Sequence, residues 1–295
     1  MANTVGGQLA ARRGLAADSA ADSAPAPHGS TIWASGLGGY DTIGAGGGSP
    51  GFTAGLGGMA AGTGRIGVAI GTVEGQTWSQ SGGNTTNSTA QLVAYGQWQR
   101  GMLFAEAQLG LMYQQETVHR ALPLFGASAH GATDGLAGGG SVRVGIQQTL
   151  AGWLIEPSLG FGGLGLHLGS VAETGGPLEE TIAGATLGSA QSTLAVDAQR
   201  GFALTETLRM TITGRLGWSH EFADNIATVS AGFAGLSGSG FALNSAPIGR
   251  DAAVVGLGAD IKVASLPVTM FVSYGGAITA SISAQSFNAG VRFIW

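Results

Sequence analysis

The sequence predicts an all-β fold: an antiparallel up-and-down barrel of roughly twelve strands that spans a membrane, with an N-terminal α-helix in its lumen. Three observations predict it. From Ser30 onward apolar residues recur at every second position, down to the closing stretch FNAGVRFIW. There Phe287, Ala289, Val291, Phe293 and Trp295 alternate with Asn288, Gly290, Arg292 and Ile294. Side chains on a strand alternate faces, so one face of this terminus is apolar and the other small or polar. The second observation is that charge follows the parity. Arg65, Glu106, Arg143, Glu156, Asp197, Arg209, Arg215, Asp260 and Arg292 all fall opposite the large apolar side chains. The third is that connections alternate between short and long, as they do between the two rims of a membrane barrel.

The elements follow in order. Residues 1–28 form a linker and pore helix, and residues 29–295 the barrel. The stretch QLAARRGLAADSAA, residues 8–21, is rich in helix formers, with Gly14 as its weak point. Leu9 and Leu15 are its only large apolar residues, so it suits a polar-lined cavity. Ala-Pro-Ala-Pro at 24–27 is a stiff extended linker. Strands are expected at 30–40, 50–61, 64–78, 86–99, 101–116, 132–149, 151–168, 187–201, 206–222, 246–262, 266–276 and 284–295. Turns are expected at 62–64, 100–101, 150–151, 203–205 and 264–265, and longer loops at 41–49, 79–85, 117–131, 169–186 and 223–245. Trp33, Trp98, Tyr113, Trp153, Trp218, Tyr274 and Trp295 lie near strand ends, as interfacial aromatic girdles do.

Composition excludes other classes. Glycine, 55 of 295 residues, is more than twice its usual share, and charged residues are 10% against about 25% in ordinary proteins. The apolar fraction of 44% disfavours disorder. A net charge of −5 with scattered arginines and one lysine, Lys262, gives no nucleic-acid footprint. With no cysteine there is no disulfide, thiolate site or cysteine nucleophile. No apolar run reaches the length of a transmembrane helix. A soluble sandwich would also alternate. Its wet face, however, is usually rich in Lys, Glu and Thr; here it is Gly, Ser, Gln and lone charges, which suits a confined lumen. No signal-peptide core precedes the arginines near the N-terminus, so an exported form would have had its signal removed.

These stretches together resemble a family. RIGVAIG (65–71), LFAEAQLGLMYQQETVHR (103–120), WLIEPSLGF (153–161), LRMTITGRLGWSHEF (208–222), GRDAAVVGLGADI (249–261) and the terminal VRFIW are similar to the autotransporter β-domain, the translocator of type V secretion. The resemblance implies an outer-membrane translocator and anchor for an N-terminal passenger, with long loops outside and a linker helix in the pore. It also implies that Phe287, Val291, Phe293 and Trp295 form the signal read by the barrel-assembly machinery. The expected partners are outer-membrane lipid, the chain's own passenger and that machinery; the expected chain is monomeric, non-enzymatic and without cofactor. Some relatives cleave the linker at an asparagine in the helix. Here Asn3 is the only asparagine before Asn84, which argues against self-cleavage.

Arg12 and Arg13 are the only cations of the helix, and Glu106, Glu156 and Asp197 are their candidate luminal partners. The competing pairing is of those acids with Arg143, Arg209, Arg215 and Arg292 on neighbouring strands. The competing function is a small-solute pore. Two motifs are expected to be decoys. Gly47 to Gly51 matches G-x-S-x-G without the strand-to-helix elbow. Gly160, Gly162 and Gly165 match G-x-G-x-x-G with no helix after them. The histidines near the long-loop rim, His119, His130, His167 and His220, lack helical pair spacing, and no metal site is expected from them.

Overall fold

Strands that alternate apolar and small residues can satisfy their backbone in a bilayer only by pairing into a closed sheet. The computed structural model describes residues 31–43, 51–63, 66–79, 83–245 and 247–294. The strands are β1 (Thr31–Ile43), β2 (Gly51–Thr63), β3 (Ile66–Ser79), β4 (Asn84–Arg100), β5 (Leu103–Leu122), β6 (Ala127–Ile146), β7 (Gln148–Leu150), β8 (Trp153–Leu168), β9 (Val171–Ala172), β10 (Glu180–Ile182), β11 (Ala185–Ala203), β12 (Leu208–Glu221), β13 (Thr228–Phe233), β14 (Phe241–Asn244), β15 (Asp251–Val263), β16 (Val268–Ile278) and β17 (Ile282–Ile294).

Thirteen of them form one antiparallel sheet, and the β8–β11 pairing joins its ends. β7 prolongs the line of β6, both being paired with β8. The first and last strands lie side by side, in register from Thr31↔Ile294 to Ile43↔Ile282. The greasy face of the terminal strand therefore points out of a closed sheet, with Phe287, Val291 and Phe293 exposed.

The outward face carries an apolar band. On β5 it runs from Leu103 through Leu109 and Leu111 to Tyr113, all exposed. At about 3.3 Å per residue and about 40° of tilt this stretch spans about 25 Å, the height of the lipid-facing belt of a membrane barrel. Amphipathic groups flank the belt. At one rim Arg200 lies 5.7 Å from the Trp153 ring centre and 5.5 Å from that of Phe202. At the other, Trp218 Nε1 donates to Asp251 Oδ1 at 3.1 Å. Trp33 departs from the girdle expectation. It is 3% exposed and packs inward with Ala69 and Tyr95. Its Nε1 donates to Tyr95 Oη at 3.1 Å. A luminal indole needs such a partner, and Tyr95 supplies it from another strand.

Tight turns join the strands at one rim. Ala151 and Gly152 both have positive φ, 51° and 81°, the pattern of a two-residue hairpin turn matched to strand twist. At the opposite rim the expected loop at 117–131 is instead the end of a hairpin. β5 and β6 stay paired as far as Leu122↔Ala127 and are joined by a 3-10 turn at Pro123–Phe125. Above Tyr113 the outward residues become Gln115, Thr117 and His119. The strand has left the apolar belt there, so loss of apolar alternation marks the membrane boundary rather than the strand end.

The expected loops at 169–186 and 223–245 also contain strands. β14, β13, β10 and β9 form a second, four-stranded sheet. Val171, Ile182, Val229 and Ala231 are its buried cluster. A bridge between His130 and Thr174 ties it to the hairpin. Arg120 of β5 pairs bidentately with Glu173 and lies 3.3 Å from Glu180. Burial pushes the Glu180 carboxyl up, and Arg120 offsets part of that.

Candidate functional site: a lumen of paired charges

The residues opposite the lipid belt converge on the lumen. Two acid–arginine pairs arise directly from strand register: Glu106 faces Arg143 between β5 and β6, and Asp197 faces Arg215 between β11 and β12. Arg143 joins them. Its Nε lies 2.8 Å from Glu106 Oε2, and its Nη1 lies 2.8 Å from Asp197 Oδ2. To reach β11 it crosses β8, whose inward residues there are Ser158 and Gly160. Larger side chains would block that reach. Arg215 Nε adds a longer contact to Asp197, 3.7 Å. Gln97 donates to Glu106 at 3.4 Å. Phe104 lies under Arg143, 5.2 Å from ring centre to guanidinium carbon.

The side chains of Glu106, Arg143 and Asp197 are 21%, 18% and 10% exposed. Charges this far from bulk water must be compensated, and these compensate one another. Glu156 is different. Its carboxylate accepts from Gln147, and among the described residues it has no ion-pair partner. Arg209 lies exposed at the tight-turn rim. Arg12, Arg13 and Trp295 fall outside the described residues.

Glu106, Arg143 and Arg215 also line a cavity of about 280 Å³, with Tyr95, Gln108 and Gln191 among its other walls. Met112, Ile248 and Ile282 add an apolar part to its lining. Ile248 and Ala227, from the β12–β15 connection, pack on Met112, Leu166, Leu168 and Ile282. Glu221, 2% exposed, anchors that connection. It accepts from Ser189 Oγ and Ala190 N, both at 2.7 Å, and from Ala223 N at 3.0 Å. Arg250 Nη1 donates to the carbonyls of Glu221 and Ala223. Sequence reasoning missed Glu221, although it shares the luminal parity of Arg215. The glycines of the G-x-G-x-x-G match lie within β8, so no helix N-terminus faces them.

A closed antiparallel sheet with a lipid belt outside and paired charges inside defines an outer-membrane β-barrel. The autotransporter β-domain family model matches residues 32–275. The chain belongs to the autotransporter β-domain family.

Among solved structures it is similar to the translocator domain of autotransporter NalP from Neisseria meningitidis, at 17% identity and a TM-score of 0.74, with both chains fully covered. It is also similar to the β-domain of the Bordetella autotransporter Brka, at 17% identity and TM-score 0.58, covering 91% of this chain and all of that one. The transport unit of AIDA-I from Escherichia coli gives 14% identity and TM-score 0.56, covering 98% and 99%. At these identities the likeness is one of fold. Among curated proteins, an extracellular serine protease of Serratia marcescens is 28% identical over 89 residues, 30% of this chain. The match spans only 8% of that protein's length.

Proposed function

We propose that this chain is the outer-membrane translocator and anchor for a passenger segment joined to its N-terminus. The observation that carries the reading is the closed sheet itself, lipid-facing outside and charge-paired inside, in a chain of the autotransporter β-domain family. Counting β6 and β7 as one stave gives a barrel of twelve. The tight turns then face the periplasm, and the long connections, with their small sheet, face outward. The barrel acts as a monomer after insertion by the assembly machinery, which would read Phe287, Val291, Phe293 and Trp295. Its work is passage and anchoring rather than catalysis.

An epitope tag placed ahead of Asn3, behind a signal peptide, tests this reading. In a Gram-negative host the tag is expected to be lost when intact cells meet protease. A folded barrel with a protected tag would refute transport of the N-terminus and move the small-solute pore ahead.

In this reading residues 1–28 lie in the lumen as a helix, with Arg12 and Arg13 toward Glu156. That acid is the support: it is the one among Glu106, Glu156 and Asp197 with no ion-pair partner among the described residues. Deleting residues 1–28 is expected to raise single-channel conductance in planar bilayers several-fold. Unchanged conductance would remove the helix from the pore.

A further inference from the structure

We propose that the hairpin of β5 and β6 carries a binding site for a borderline divalent transition-metal ion, formed by His119 and His130. The two residues are direct cross-strand partners. His130 exchanges both backbone hydrogen bonds with Thr174 on its far side, each 2.9 Å. Its amide and carbonyl thus point away from β5. In an antiparallel ladder this makes His119 and His130 a non-hydrogen-bonded pair, the kind whose side chains approach most closely.

The imidazole centres lie 5.5 Å apart, with ring planes tilted by 60°. Two imidazoles sharing one tetrahedral ion at about 2.1 Å from each nitrogen have centres about 5 Å apart. The pair therefore needs little movement to chelate. Both rings are exposed, on the part of the hairpin above the apolar belt.

Two further features point to a ligand. Asn84 is the register partner of His119 on its other side, and its Oδ1 is buried with no hydrogen-bond partner. A small turn of the Asn84 amide toward a metal-bound water beside His119 would give that oxygen a donor. On the other flank, a side chain at Gly175 would begin 2.9 Å from His130 Nε2, at a backbone φ of +95°. Glycine there keeps the nitrogen accessible.

The ligand class follows from the donors. Imidazole suits Zn²⁺, Cu²⁺ and Ni²⁺ better than Mg²⁺ or Ca²⁺. Among the described residues no group of three or more His, Asp and Glu side chains completes a coordination sphere. Water fills the remaining positions, giving an open site of modest affinity. Its effect is to clamp β5 to β6 where the hairpin meets the small sheet.

The test is calorimetric titration of the full chain, folded in detergent micelles, with ZnCl₂. One ion per chain is expected to bind. His119→Ala and His130→Ala are each expected to weaken binding at least tenfold, and His167→Ala to leave it unchanged. Without zinc, the two single variants and the double variant His119→Ala, His130→Ala are expected to unfold near the wild-type temperature, which separates ligation from folding. Zinc is also expected to raise the unfolding temperature of the wild type but not of the double variant. No binding by the wild type, binding retained in the double variant, or loss in only one single variant would overturn the site.

Discussion

Replacing Arg143 by methionine is expected to destabilise the barrel by about 3 kcal/mol, because it leaves Glu106 without an ion pair and Asp197 with only its longer contact to Arg215. Arg143 touches both acids at 2.8 Å, so a single substitution removes two ion pairs. Methionine keeps an unbranched apolar stem beside Phe104, so most of the change is the loss of the guanidinium and its charge. Urea unfolding of the micelle-folded protein, followed by tryptophan fluorescence, gives the difference. The double variant Arg143→Met, Glu106→Gln removes that pair together, leaves Asp197 to Arg215, and is expected to recover most of the loss. If the single variant unfolds within about 0.5 kcal/mol of wild type, the luminal network does not stabilise the fold.

Placing a leucine at Gly290 is the second large effect. Gly290 lies on the inward face of β17, between the first strand and β16. A side chain there would begin against the Ala34 carbonyl, 2.6 Å from Ser35 Cβ and 2.7 Å from Phe271 Cζ. Backbone cannot move aside as a flexible side chain can, and overpacking of this kind costs about 3 kcal/mol or more. The cost falls where the sheet closes on itself. Gly290→Leu is therefore expected to cut the yield of folded barrel at least several-fold, read as the fraction resisting denaturation on unheated gels. Gly188→Ala meets nothing within 4 Å and serves as the neutral counterpart. Equal yields from the two variants would show that the closing seam tolerates bulk.

Much of the barrel was legible because lipid and lumen impose opposite chemistry on alternate residues. Leu109, Leu111 and Tyr113 against Glu106 and Gln108 is a local signal, readable without a partner strand. The same logic misplaced Trp33. Around it both parities of β1 mix small, polar and apolar residues, and indole size alone suggested the girdle. Its inward position depends on the Tyr95 hydroxyl, 62 positions away. The extension of β5 past residue 116, and of β6 ahead of residue 132, was missed for a related reason. Outside the bilayer both faces of a strand are polar or covered by another element, so the lipid-driven alternation fades while the backbone pairing continues.

The sequence by itself determined the closed antiparallel sheet, the parity of its charges and the outward set Phe287, Val291 and Phe293. Those properties follow from the two-residue period of a strand and the solvent on either side of it. Only the tertiary structure decided which charges meet. Arg143 reaches Asp197 across β8 because Ser158 and Gly160 are small and because register and tilt bring the two residues together, neither of which a local pattern encodes. It also decided that His119 and His130 stand opposite each other. An eleven-residue separation says nothing until the hairpin turn at Pro123–Phe125 fixes the register.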